Sequence, residues 1–114
     1  MDVSRVIFFT DDVNKLSEFY RTCFGLGNVG DASEEWTELS AGGCNIAFHK
    51  IDEHSHLRDG WIKIVFGSKD VVTDKMRLER LGAQMAEVVE FGDIHLCDGQ
   101  DPDGNWFQIS SRGM

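Results

Sequence analysis

Short β-branched and aromatic runs alternate along the chain with stretches whose apolar residues recur every three or four positions. Val6-Ile7-Phe8-Phe9 is of the first kind and predicts a strand buried on both faces. Asp11-Asp12 then marks a helix start, and Val13, Leu16, Phe19, Tyr20, Cys23 and Phe24 fall on one helical face. Gly25 and Gly27 end that helix. Residues 28–34 are polar and read as a turn. Residues 36–39 and 45–49 read as two strands around Ala41-Gly42-Gly43. Residues 51–60 are charged and poor in apolar side chains, so they predict a connector.

The same order then begins again. Residues 61–66 predict a strand, and Lys69-Asp70 opens a helix carrying Val71, Val72, Met76, Leu78 and Leu81, ended by Gly82. Residues 88–91 and 94–97 predict two more strands. Asp101-Pro102-Asp103-Gly104-Asn105 is a turn, because Pro presets φ and Gly tolerates φ above zero. Residues 106–110 form the last strand. Arg5-Val6-Ile7-Phe8 with Asp12-Val13 matches Lys63-Ile64-Val65-Phe66 with Asp70-Val71 at an offset of 58 (63 − 5). Residues 43–48 match residues 104–109 at an offset of 61 (104 − 43). The pattern is that of a duplicated unit, with units of about 1–50 and 61–112 in a single domain of 1–114.

Side chains alternate faces along a strand, so parity sorts them. Val6, Phe8, Ile46, Phe48, Ile64, Phe66, Phe107 and Ile109 suit the helix-covered side. The opposite side then carries Arg5, Asn45, His49, Lys63, Trp106 and Gln108, with Trp36 and Glu38 by the same rule. Aromatic side chains beside a few polar groups are what a small-molecule cleft needs.

Composition narrows the partners. The 11 basic and 20 acidic residues give a formal charge of −9, which disfavours nucleic acid and anionic membrane surfaces. The longest apolar run, residues 6–9, is far too short to span a bilayer. The first five residues have no leader pattern, so the expected setting is cytoplasmic. Cys23, Cys44 and Cys97 have no metal-motif spacing and read as reduced thiols.

Residues 6–26 (VIFFTDDVNKLSEFYRTCFGL) and 101–109 (DPDGNWFQI), inside a duplicated unit, resemble the vicinal oxygen chelate superfamily, the glyoxalase/bleomycin-resistance/dioxygenase family. The resemblance implies an α+β fold of two βαβββ units forming a curled mixed sheet around a cleft, with helices on the convex side. It also implies units paired either within one chain or across two, with homodimers common among small members, and in many members a divalent metal held on the first and last strands of each unit. Carried over position by position, those sites fall on Arg5, Ala47, Lys63 and Gln108. Arg and Lys offer only donors, Ala offers nothing, and one Gln oxygen cannot hold a catalytic ion. A second candidate cluster, His49, Asp52, His54 and His56, falls partly in the connector and reads as a solvated loop. His95 lies on a strand without a neighbouring nucleophile.

Arg5 and Lys63 occupy equivalent places, so a pseudo-twofold is expected to bring them near one another, and two positive charges repelling in a half-dry cleft call for a compensating anion. Glu38 is the protein's own candidate by parity; a ligand carboxylate, phosphate or enolate is the other source. The expected function is metal-free binding of a small molecule, without a cofactor and in the manner of the bleomycin-resistance branch. Arg5 and Lys63 would hold an anionic or polar group, Gln108 and His49 would orient it, and Trp36 and Trp106 would stack on it, with Glu38 nearby. Two alternatives stand beside it: a metal-dependent lyase, isomerase or dioxygenase-like enzyme, and a non-catalytic interaction domain.

Overall fold

In the computed structural model, which describes residues 1–54 and 57–114, the chain divides into residues 5–62 and residues 63–114 together with 1–4. The first unit holds β1 (Val3–Thr10, from Arg5 on), α1 (Val13–Phe24), β2 (Gly27–Val29), β3 (Trp36–Ser40) and β4 (Asn45–Lys50). β1 runs parallel to β4, while β3 is antiparallel to β4 and to β2. The connector folds back on β1: the Ile51 N–H donates to the Thr10 carbonyl at 3.1 Å, and that of Gly60 to Phe9 at 2.9 Å.

The second unit holds β5 (Ile62–Gly67, from Lys63 on), α2 (Val71–Arg80), β6 (Gln84–Met85), β7 (Val89–Phe91), β8 (Ile94–Gln100) and β9 (Trp106–Ser110). β5 is parallel to β9, β8 is antiparallel to β9, and β6 and β7 both pair with β8. Each unit is therefore a mixed sheet with one helix, and the fold class is α+β. Met1–Ser4 belongs to this second unit, since the Gly67 N–H donates to the Asp2 carbonyl at 3.0 Å.

The repeat holds at the level of register. Val6 pairs with Ile46 and Ile7 with Ala47; at offsets of 58 and 61 these become Ile64 with Phe107 and Val65 with Gln108, which are the observed pairs. Both helices start on an aspartate whose carboxylate accepts a backbone N–H at 3.0 Å, Asp12 from Lys15 and Asp70 from Thr73. Such a cap satisfies a donor that the helix itself leaves unpaired. Gly25 ends α1 at φ 67°, where a side chain would be strained.

The cores follow the strand parity at Phe8, Ile46, Phe48, Phe66 and Ile109, whereas Ile64, expected under the helix, is exposed. Val13, Leu39 and Phe48 form one buried cluster, with Phe8, Leu16, Tyr20 and Ile46 packed on it. Val71, Cys97 and Ile109 form the other, with Phe66, Leu78, Met85 and Val88. The helical stripes are narrower than the periodicity implies. Phe19, Cys23 and Phe24 are exposed, whereas Ser17 is buried. Phe19 and Phe24 instead lie against the Tyr20 ring, at 5.2 and 5.9 Å. Of the apolar residues expected on the second helix, Val72, Met76 and Leu81 are exposed and only Val71 and Leu78 reach the core. The turn expected at 28–34 begins as strand β2, a fully exposed edge strand with no apolar alternation to reveal it.

Gly99 makes the second core possible. A Cβ there would lie 2.6 Å from Phe107 Cζ, 2.7 Å from Met85 Sδ and 3.1 Å from the Gln84 carbonyl oxygen. Gly99→Ala is expected to cost about 1–3 kcal/mol, read as a lower urea midpoint. Gly43→Ala, with nothing within 4 Å, is the control and should change little.

Acid weakens a second set of contacts. The Thr73 backbone N–H, then its hydroxyl, hold the Asp70 carboxyl below its ordinary value, and the Asn105 side chain does the same for Asp101. Both groups support the folded state above about pH 4, and that support fades as pH falls through their lowered values. Asp70→Asn and Asp101→Asn should flatten the acid limb of a stability-against-pH curve.

Candidate functional site

In the first unit the side of the sheet away from α1 is built around one carboxylate. β1 presents Arg5, Ile7 and Phe9 on it, all buried. Arg5 Nε donates to Glu38 Oε2 at 3.1 Å, and Asn45 Nδ2 donates to the same oxygen at 2.8 Å. The two charged side chains are only 4% and 6% exposed. The alternation of β3 places Glu38 opposite Ala47, and that of β1 places Arg5 opposite Asn45, so three strands converge on one oxygen. Along the same face His49 pairs with both Phe9 and Trp36, with ring centroids at 5.5 and 5.7 Å. His49 itself is exposed and Trp36 half-buried.

The second unit repeats the device with different residues. Lys63 Nζ donates to Asp98 Oδ1 at 3.0 Å, and Gln108 Nε2 donates to that oxygen, also at 3.0 Å. Asp98 faces Gln108 across the β8–β9 ladder, as Glu38 faces Ala47 across β3–β4. Lys63 is buried, but the Asp98 side chain keeps 29% of its exposure. Trp106, half-buried, pairs with Gln100 at the start of β9.

Each basic residue thus has a carboxylate of its own unit. Glu38 is the protein anion that parity indicates for Arg5. Asp98, the anion for Lys63, does not appear among the sequence candidates, because the predicted strand stops at Cys97. It stands 60 residues after Glu38 (98 − 38), an offset that neither matched stretch, at 58 or at 61, reaches. Parity puts Asn45 on this face, and its bond to Glu38 follows only from the structure.

The positions to which the resemblance assigns metal ligation do not fit a divalent cation. In the first unit Arg5 is a cation and Ala47 has no donor atom. In the second Lys63 is a cation, and Gln108 turns its N–H to Asp98, leaving one neutral oxygen. Of the second cluster, His56 lies outside the described residues. His49 sits in β4 against Phe9 and Trp36, and the His54 backbone N–H donates to Asp52 Oδ1 at 2.8 Å. Among the described residues no group of three His, Cys, Asp or Glu side chains is arranged to hold a metal.

Other reactive groups lie elsewhere. By parity with Cys97, His95 is on the helix side of β8, 3.6 Å from Glu90 Oε1. Burial pushes the Cys97 thiol up, which keeps it protonated and a poor nucleophile at neutral pH. No described helix is long and apolar enough to cross a membrane.

A family model described as a glyoxalase-like domain matches residues 5–110. The chain is also similar to solved structures. Methylmalonyl-CoA epimerase from Streptomyces coelicolor, in complex with 2-nitronate-propionyl-CoA, is 16% identical, with 96% of this chain and 93% of that chain covered and a TM-score of 0.80. Methylmalonyl-CoA epimerase from Mycobacterium tuberculosis is 16% identical over 96% and 86%, at 0.77. A glyoxalase/bleomycin resistance protein/dioxygenase superfamily member from Vibrio splendidus 12B01 is 18% identical over 92% and 94%, at 0.66. A search among curated proteins finds no match.

The two ion pairs differ in what breaking them costs. Glu38→Gln leaves the Arg5 charge buried, and such a loss costs about 3–5 kcal/mol. Arg5→Met combined with Glu38→Leu is expected to lose much less than the sum of the single changes in urea unfolding. Asp98→Asn should cost less than Glu38→Gln, because water reaches that carboxylate.

Proposed function

The chain belongs to the glyoxalase-like domain family, and on that premise we propose that it binds a small molecule without using a metal. The observation that carries this reading is the filling of the family's metal positions by Arg5 and Lys63, each held by a carboxylate of its own unit. In either unit a cation added there would meet a fixed positive charge, and recruiting Glu38 or Asp98 would strand a buried Arg or Lys. The epimerases and the superfamily member to which the chain is similar support the fold of such a protein and leave its ligand open.

In this reading each unit contributes its own contact set. The first offers the rings of Trp36 and His49 for stacking beside the Glu38–Arg5 pair. The second offers Asp98, whose Oδ1 is fully engaged by Lys63 and Gln108 and whose partial exposure leaves the carboxylate reachable, with Trp106 on the same face. Because both cations are already paired, the ligand need not be an anion. The role fits sequestration or carriage in the manner of the bleomycin-resistance branch.

Elemental analysis and ligand screening test this together. Purified, tag-free protein is expected to hold far less than one equivalent of any transition metal, including after incubation with zinc, nickel, cobalt or manganese. Hits from a thermal-shift screen should keep their affinity in excess chelator, and Asp98→Ala or Trp36→Ala should weaken them. Near-stoichiometric metal together with chelator-sensitive binding would favour a metal-dependent lyase, isomerase or dioxygenase-like enzyme instead.

A further inference from the structure

The repeat allows the two helix–sheet interfaces to be compared position by position. In the first unit the Tyr20 ring fills the space between α1 and the sheet, 5.5 Å from both Phe8 and Phe48. Phe8 and Phe48 stack on each other at 5.7 Å. The offsets of 58 and 61 put Leu78 where Tyr20 stands, Phe66 where Phe8 stands and Ile109 where Phe48 stands. Two rings are thereby replaced by smaller aliphatic side chains. Phe107 takes the place of Ile46 but lies edge-on to Phe66, with centroids 6.5 Å apart.

The space that Tyr20 closes in one unit remains open in the other. A groove of about 370 Å³ runs along α2, lined by Met1, Phe66, Arg77, Leu78, Phe107 and Ile109. That volume is at the small end of ligand sites, roughly 300–1,000 Å³. Its one charged lining side chain is Arg77, at the position of Phe19 in the first unit. The Arg77 side chain is 46% exposed, and its Nε stands 3.5 Å from Asp74 Oδ1. Among the described residues the two terminal nitrogens of its guanidinium have no hydrogen-bond partner.

We propose that this groove binds a small aryl carboxylate. The ring occupies the place a tyrosine ring takes in the other unit, against Phe66, Phe107 and Leu78. The carboxylate meets the outer fork of Arg77, a planar donor pair matched to two oxygens. In a chain of charge −9 a local cation over an apolar groove selects the anion by contact rather than by long-range field. The groove is on the helix side of its sheet, so this proposal stands independently of the function proposed above.

The test uses the full chain and 2-naphthoate, with 2-naphthalenemethanol and 2-naphthylmethylammonium as neutral and cationic probes. Calorimetry gives affinity, and amide chemical-shift mapping gives the place. Saturable naphthoate binding is expected, with shifts at residues 66, 77, 78 and 107. Arg77→Gln should weaken naphthoate roughly tenfold, the loss expected for a charged hydrogen bond, and leave the alcohol unchanged. Leu78→Tyr, which installs the other unit's ring, should abolish binding of both; should that variant fail to fold, Arg77→Gln decides. Absence of saturable binding, shifts mapping elsewhere, equal affinity for the cationic probe, or a folded Leu78→Tyr variant that binds normally would each overturn the proposal.

Discussion

A charge taken out of water must find its partner within the fold, and in this protein that constraint acts twice. Arg5 and Lys63 are both nearly inaccessible, on strands that begin their respective units. Their attraction to Glu38 and Asp98 offsets the loss of hydration only because an amide donor completes each carboxylate oxygen, Asn45 in one case and Gln108 in the other. Strand register does the positioning. β3 and β4 deliver Glu38 and Asn45 to Arg5, and β8 and β9 deliver Asp98 and Gln108 to Lys63. In each unit the chemistry open to that face follows from its own closed charge balance rather than from any single reactive side chain.

Much of this arrangement was legible beforehand. The runs at Val6 to Phe9 and Trp106 to Ser110 have the β-branched and aromatic content of buried strands. The matched offsets anticipate the matched registers of β1–β4 and β5–β9. Parity placed Glu38 on the face of Arg5. What escaped was of two kinds. β2 and β6 are short edge strands, so water rather than a core meets most of their side chains and no apolar rhythm marks them. Asp98 escaped because its strand continues past Cys97 through Gly99 to Gln100, residues with little intrinsic strand preference that pairing with β9 keeps extended.

The two copies have diverged where the constraint is weakest. The capping aspartates and the buried valines at the helix starts, Val13 and Val71, are kept in both. Farther along the helices the stripe is free to change. Leu16 packs on the first core, whereas its counterpart Asp74 accepts a hydrogen bond from Ser68 at 2.6 Å. Tyr20 gives way to Leu78, and the aromatic stack of the first unit has no equal in the second. A duplicated architecture thereby yields two different interfaces without any change in strand order.

The paired charges also shape the routes open to the sequence over time. Replacing the base at position 5 or 63 in one step would orphan Glu38 or Asp98, and altering the acid first would orphan the base. Each single change begins with a loss of stability, and relief arrives only with the second substitution. Interdependence of this kind works as a ratchet: the two members of a buried pair tend to be kept together.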